Sequence, residues 1–237
     1  MRLVRSALAG CVVATLLATS LAVPVMAAPV KGKMAIVQGN PSAKVDVCIN
    51  GREIKSKMRF GTKVYRTFPA GLKVLKVTKA DPRTCKGKVL AYKAFKFPKG
   101  SDFTVVISKK KPQKVMVFDN AYPPGPIVSG SHRFFRNASD YGEVTFRHEA
   151  KPITTDPAMA ATDPTWKKGE STWRYLPMGV GGAPMSSTTW ISDVPMYFPP
   201  LVVAGPVWSL LSDGKRYEWI FIGTTKRPRL LLLKRDW

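Results

Sequence analysis

A chain of 237 residues with 45% apolar content can bury one large or two small cores, which excludes a segment compelled to stay disordered. Lys and Arg number 38 against 15 Asp and Glu, for a net charge of +23, so its field attracts polyanions and repels basic partners. Two His and three Cys leave little material for His-dependent catalysis or Cys/His metal centres.

Residues 1–27 read as an export signal. Arg2 and Arg5 form the positive start, Leu8 to Val23 is uncharged and apolar, and Val25-Met26-Ala27 precedes a cut after Ala27. The stretch is too short and wrongly flanked for a stable span, and no other segment has 18 uncharged apolar residues. Leu8-Ala9-Gly10-Cys11 also spells a lipoprotein box, which would leave a lipid anchor on Cys11. It falls five residues after Arg5, with apolar sequence continuing beyond it, and the free exported form is the expectation. The destination is the periplasm, the cell surface or the medium. Two cations leave with the signal, so the net charge falls to +21.

Cys48 and Cys85 then remain in an oxidising compartment, and a disulfide between them is expected over two free thiols. It would close a loop of about 38 residues, worth about 4 kcal/mol in the chain-entropy account. Neither a CxxC nor a nearby histidine points to redox or metal chemistry.

Downstream the sequence alternates with a period of two. Val45, Val47 and Ile49 interleave with Asp46, Cys48 and Asn50, and Asn50-Gly51 is a hairpin turn into Arg52-Glu53-Ile54. Phe103, Val105 and Ile107 follow a turn at Lys99-Gly100. Val144 and Phe146 alternate with Glu143, Thr145 and Arg147. Tyr217, Trp219 and Phe221 follow Asp213-Gly214, and Leu230 to Leu233 is a closing apolar run. No amphipathic helix is evident; even Pro157 to Thr165 is broken by prolines. Short strands without helical crossovers predict an all-β fold of antiparallel sandwiches.

Two sandwiches in tandem fit better than one. Ala121-Tyr122-Pro123-Pro124-Gly125-Pro126, closed by Ser129-Gly130-Ser131, reads as a linker over 121–131. It separates a basic domain over 28–120 from a second, Trp-rich domain over 132–237. Gly100-Ser101-Asp102-Phe103-Thr104-Val105-Val106-Ile107 matches Gly214-Lys215-Arg216-Tyr217-Glu218-Trp219-Ile220-Phe221. Upstream, Val37 and Val45-Asp46-Val47 match Phe135 and Val144-Thr145-Phe146. Residues 149–195, rich in Pro, Gly, Ser and Thr, look like an insertion in the second copy.

The first half also carries a family resemblance. Ala35-Ile36-Val37, then Asn40-Pro41-Ser42-Ala43-Lys44-Val45-Asp46-Val47-Cys48-Ile49-Asn50-Gly51, then Phe60-Gly61-Thr62, Phe68-Pro69-Ala70-Gly71 and Gly100-Ser101-Asp102-Phe103-Thr104-Val105-Val106 follow one another in order. Over about residues 33–118 this resembles a secreted bacterial family, domain of unknown function 4397. It departs at Gln38-Gly39, where the family tends to His-Ala, and at Cys48, where Tyr is common. Arg136-Asn137-Ala138-Ser139-Asp140 and Gly214-Lys215-Arg216-Tyr217 give a weaker echo in the second half. The resemblance implies an immunoglobulin-like or transthyretin-like β-sandwich in an exported envelope protein, and implies no enzymatic site. Periplasmic alginate-acetylation accessory proteins look like tandem sandwiches of this kind, an analogy of fold alone.

The halves differ in charge. Residues 28–120 carry a net +17 and residues 131–237 a net +4, while all six tryptophans lie in the second half. Lysines of the first half fall on strands and turns: Lys73, Lys76 and Lys79, then Lys93, Lys96, Lys99, Lys109, Lys110, Lys111 and Lys114. The last seven are the candidate polyanion-binding residues. Candidate ligands are an anionic polysaccharide, a wall polymer or lipid headgroups. Lysine is a point charge, so sequence-specific nucleic-acid readout is not expected. The bland alternative is a solvated surface that keeps edge strands from pairing.

Trp219, alternating with Tyr217 and Phe221, reads as core, and Trp208 before Leu210-Leu211 reads as buried too. Trp166, Trp173 and Trp190 are the surface candidates. His132 and His148 have no ligand spacing, Ser129-Gly130-Ser131 lacks the frame of a nucleophile elbow, and Gly179-Val180-Gly181-Gly182 has no phosphate-loop context. Asp140 and Glu143 are the nearest thing to a carboxylate pair. No set is complete, so neither an enzyme nor a metal or other cofactor is expected. The leading expectation is a non-catalytic exported binding protein. The competitor is an accessory component of an envelope polysaccharide-modification assembly, acting through an envelope protein partner.

Overall fold

The computed structural model describes residues 30–109, 114–121, 131–141, 144–152, 159–166, 171–176, 185–192, 202–212 and 215–235. The export signal with Cys11, most of the Pro/Gly linker, and Lys110, Lys111, Glu143 and Trp237 lie outside the described residues. All regular elements within them are strands. In the first half these are β1 (Gly32–Gln38), β2 (Val45–Ile49), β3 (Arg52–Met58), β4 (Lys63–Phe68), β5 (Gly71–Lys79), β6 (Val89–Phe97), β7 (Asp102–Ile107) and β8 (Val115–Asp119). In the second half they are β9 (Ser131–Asn137), β10 (Val144–Pro152), β11 (Met159–Trp166), β12 (Ser171–Leu176), β13 (Met185–Ser192), β14 (Val202–Leu211), β15 (Arg216–Thr224) and β16 (Arg227–Arg235).

Four four-stranded sheets result, with orders β4-β1-β7-β8, β3-β2-β5-β6, β12-β9-β15-β16 and β11-β10-β13-β14. Subtracting eight from the last two orders gives the first two, so the halves are two sandwiches of one topology. Nearly all pairs are antiparallel. The exceptions are β1 with β7 and β9 with β15, which run parallel. The stretch 149–195 is not an insertion: it holds the end of β10 and all of β11, β12 and β13, the counterparts of β2 to β5. Its polar, Pro-rich composition hid strands whose partners supply the pairing.

Asn50 and Gly51 both have positive φ, at 49° and 77°, the geometry of a two-residue hairpin between β2 and β3. Met34, Ile36, Val47, Leu75, Phe103 and Val105 belong to the first core, between its two sheets. Phe135, Phe146, Tyr217, Trp219 and Phe221 belong to the second. A third cluster lies between the sandwiches: Ala35, Val37, Val106, Met116 and Phe118 on one side, Ile220, Ile222 and Leu233 on the other. The two sheets containing β1 and β9 therefore pack face to face, and the layers stack four deep.

That stacking explains where simple alternation fails. Every residue of β7 is buried, and β15 is buried from Tyr217 to Gly223. Phe103, Val105 and Ile107 point into one sandwich while Thr104 and Val106 meet the other. The run Leu230 to Leu233 divides the same way, Leu230 to the second core and Leu233 to the interface. β2 is also buried throughout, for a different reason. Cys48 is bonded to Cys85, Cα to Cα 6.2 Å, which ties the 80–88 loop over the outer face of its sheet. Asp46 beneath that loop accepts the N–H groups of Lys57 at 2.8 Å and Asp81 at 3.1 Å. Lys76 donates its ammonium to the Cys85 carbonyl at 3.1 Å.

Replacing both cysteines, Cys48→Ala with Cys85→Ala, is expected to lower the unfolding free energy by about 2–4 kcal/mol. Denaturant titration of the double variant against the parent measures it, and an unchanged midpoint would show that the loop is held without the bond.

Candidate anion-binding surface

Among the described residues β6 pairs only with β5 and is the edge of its sheet. Lys93 stands opposite Leu75, a core residue, and Lys96 opposite Leu72, which is 63% exposed, so the two lysines leave the edge toward opposite faces. Both are exposed, as are Lys99 in the turn that follows and Lys109 after β7. Three residues of extended chain separate Lys93 from Lys96, about 10 Å along the strand. Lys114 donates to the Leu90 carbonyl at 3.3 Å, which brings the β7–β8 turn against the start of β6. The five described candidates therefore follow one edge and its two end turns. Lys73 is not among the available charges: it is buried, donates to the Ala70 carbonyl at 3.4 Å and sits 5.7 Å from the Phe97 ring centre.

A feature that sequence reasoning missed lies at the junction of the sandwiches. Lys33 and Met34 from β1, Tyr65, Arg66 and Thr67 from β4, and Lys234 and Arg235 from β16 line a cleft of about 520 Å³. Both β4 and β16 are edge strands. The lining holds four cationic residues and no carboxylate. Tyr65 is 43% exposed, and burial of its phenol pushes the group above its ordinary range, so the hydroxyl keeps its proton. Arg66 donates to the carbonyl of Tyr65 at 2.9 Å, and Lys63 crosses to the Leu232 carbonyl of β16 at 3.0 Å. A smaller cleft nearby, lined by Lys99, Ser101, Asp119, Asn120 and Arg216 among others, is of mixed sign.

Arg235 roots the larger cleft in a buried network between the sandwiches. It contacts Asp102 at 2.6 Å and Glu218 at 3.0 Å, and donates to the hydroxyl of Thr104. Thr104 donates to Glu218 at 2.7 Å. Arg136 pairs with Glu218 at 2.6 Å and donates to the Asn120 side-chain oxygen, its guanidinium lying 4.6 Å from the Phe118 ring and 4.9 Å from the Phe134 ring. Two carboxylates and two guanidiniums make the set neutral, and all are at most 8% exposed. Burial pushes the Asp102 carboxyl up to about 6, against the pull of Arg235. The signal in the sequence was a polar residue inside each apolar run: Thr104 in β7, Glu218 in β15, Arg136 after Phe134-Phe135.

Other candidates separate. Asp140 accepts from the Ser108 hydroxyl at 2.9 Å, a second tie between the sandwiches. Trp219 is fully buried as expected, but Trp208 is not: it is 65% exposed on β14, with Leu210 at 40%, because both point away from the second core. Trp166, Trp173 and Trp190 lie on β11, β12 and β13, and their side chains, with those of His132 and His148, are outside the described residues.

No protein-family model matches the chain, and no curated protein does either. What stands of the family resemblance is the all-β sandwich. A solved structure from Bacteroides uniformis, a candidate cell adhesion protein, is 12% identical, with 87% of this chain and 98% of that one covered at a TM-score of 0.24. A likeness of that degree carries no argument about function.

Glu218→Gln leaves two buried guanidiniums with one carboxylate and is expected to cost about 3–5 kcal/mol in denaturant unfolding. Asp102 provides a pH test. Its folded pKa lies above the unfolded 3.8, so between pH 4 and 6 the folded chain holds a proton that the unfolded chain releases. Stability contributed by this group therefore falls as pH rises through that window. Thermal melts of the parent and of Asp102→Asn across pH 4 to 6 should diverge, the parent losing stability relative to the variant; parallel curves would rule the assignment out.

Proposed function

We propose that this chain is an exported, non-catalytic binding protein whose basic first sandwich contacts anionic polymers in the envelope or outside the cell. The observation that supports this best is the run of exposed lysines along the free β6 edge and its end turns. Cations spread along an edge and its turns match an extended chain of anions better than a single compact ligand. Exposed lysines also keep an edge strand from pairing, but edge protection does not call for the exposed Lys99 and Lys109, which lie in turns beyond the strand. An export signal at residues 1–27 and the Cys48–Cys85 bridge fit a compartment outside the cytoplasm.

A second reading has its own observation. Trp208 and Leu210 stand exposed on β14, remote in sequence from the basic half. Exposed aromatic and aliphatic side chains of this size suit a protein partner, as in an accessory role within an envelope polysaccharide-modification assembly.

Retention of the purified protein on immobilised polygalacturonate is expected to weaken steeply between about 50 and 200 mM salt, because the contacts are screened surface charges. Lys93→Glu, Lys96→Glu and Lys99→Glu together should move elution to clearly lower salt. A profile flat in salt would defeat the proposal. Capture of a single envelope protein that is lost on Trp208→Ala and kept in the triple lysine variant would favour the second reading.

A further inference from the structure

We infer that the cleft between β4 and β16 is a saccharide subsite, holding one carboxylate-bearing stretch of the polymer that the lysine edge attracts. The inference rests on the polyanion reading above and names the ligand chemistry. The cleft is walled by both sandwiches, its exposed cations are Lys33, Arg66 and Lys234, and its aromatic side chain is Tyr65. Among the described residues no carboxylate pairs with Arg66 or Lys234. A guanidinium fork suits a carboxylate. A partly exposed phenol supplies a rigid apolar face with a hydroxyl at its rim. A ring with one carboxylate and several hydroxyls uses all of these groups; a bare phosphate would leave the aromatic idle.

The main competitor is an acidic peptide adding itself to the β4 edge. The edge is obstructed against it. Arg66 occupies the Tyr65 carbonyl, and Lys63 spans from β4 to the Leu232 carbonyl of β16. Strand addition needs those backbone groups open, whereas side-chain recognition of a sugar does not.

The cleft is also continuous with the lysine edge. The Lys33 amide donates to the Ser101 carbonyl at 2.7 Å, which seats the start of β1 against the Lys99–Ser101 turn at the end of β6. A polymer lying along Lys93, Lys96 and Lys99 therefore arrives beside the cleft mouth. The edge supplies salt-sensitive attraction to any polyanion, and the cleft supplies discrimination among them.

Calorimetric titration of the purified protein with tetragalacturonate tests this, with maltotetraose, an acidic hexapeptide and a short oligonucleotide as comparison probes. Saturable one-to-one binding of tetragalacturonate is expected, weakened at least tenfold by Arg66→Ala with Lys234→Ala and severalfold by Tyr65→Ala. A control variant with Lys86→Ala and Lys88→Ala, exposed cations of the 80–88 loop, should leave it within twofold. All these side chains are exposed, and unchanged melting temperatures confirm intact folding. If long polygalacturonate is retained but the tetramer does not bind, or binds the cleft variants equally well, the subsite is refuted and the polyanion function stands. If neither binds, the function itself fails. Peptide or oligonucleotide binding that matches the tetramer and is lost in the same variants would overturn the saccharide assignment.

Discussion

Two sheets that bury both of their faces hold this molecule together, and a neutral set of four charges sits between them. Burying Glu218 alone would be prohibitive. Arg136 and Arg235 pair with it, Asp102 balances the second guanidinium, and Thr104 and Asn120 add hydrogen bonds to the set. The apolar contacts of Val106, Phe118, Ile220 and Leu233 drive the two sheets together, but such contacts tolerate sliding. Charged groups with directional hydrogen bonds do not, since a shift of one residue would strand a buried charge. The cleft depends on that fixed register. Its β4 wall belongs to one sandwich and its β16 wall to the other, and Arg235 serves the network and the cleft lining together.

The network also sharpens the meaning of the net charge. Acidic residues of the first half are largely committed. Asp102 is buried against Arg235, Asp46 is buried accepting two backbone N–H groups, and Asp81 receives the Arg83 amide while pairing loosely with its guanidinium. Lysines, by contrast, mostly remain at the surface, with Lys73 the buried exception. The field that an approaching polymer meets is therefore set mainly by the surface lysines of the first half.

Strand positions, the Asn50-Gly51 hairpin, the Cys48–Cys85 bridge and the repeat of β7 in β15 were legible because each is local: an alternation, a turn dipeptide, two cysteines, a matching octapeptide. What was not legible depends on partners distant in sequence. Trp208 sits in an apolar context, yet nothing local says that its face of β14 lacks a covering layer. The strands of 149–195 are separated by polar stretches rich in Pro, Gly and Ser, and pairing with β9, β10 and β14 holds them in place. The cleft joins β1, β4 and β16, separated by as much as 200 residues, and no spacing rule places Arg66 and Lys234 in one lining. Continuous apolar runs at β7, β15 and Leu230 to Leu233 were the one hint of a double-sided burial, since strands covered on both faces lose alternation.

Comparing the two copies position by position shows how the pairing of unlike sandwiches is specified. Registers of β1 with β7 and β9 with β15, and of β7 with β8 and β15 with β16, make Thr104 equivalent to Glu218 and Asn120 equivalent to Arg235. Thr104 and Glu218 touch each other across the interface, so equivalent positions meet near a local two-fold relation. Two copies of the second sandwich docked in the same way would set Glu218 against Glu218 in a dry interface, a repulsion with no counter-ion nearer than the guanidiniums already committed. Setting a threonine opposite the glutamate removes that repulsion and lets Arg235 reach across to Asp102, a charge the second copy does not carry at the corresponding Arg216. Divergence at a few polar positions within otherwise matching apolar strands thus favours the intramolecular pair over self-association, and the asymmetry it creates is what leaves the cationic residues of β16 facing an open cleft.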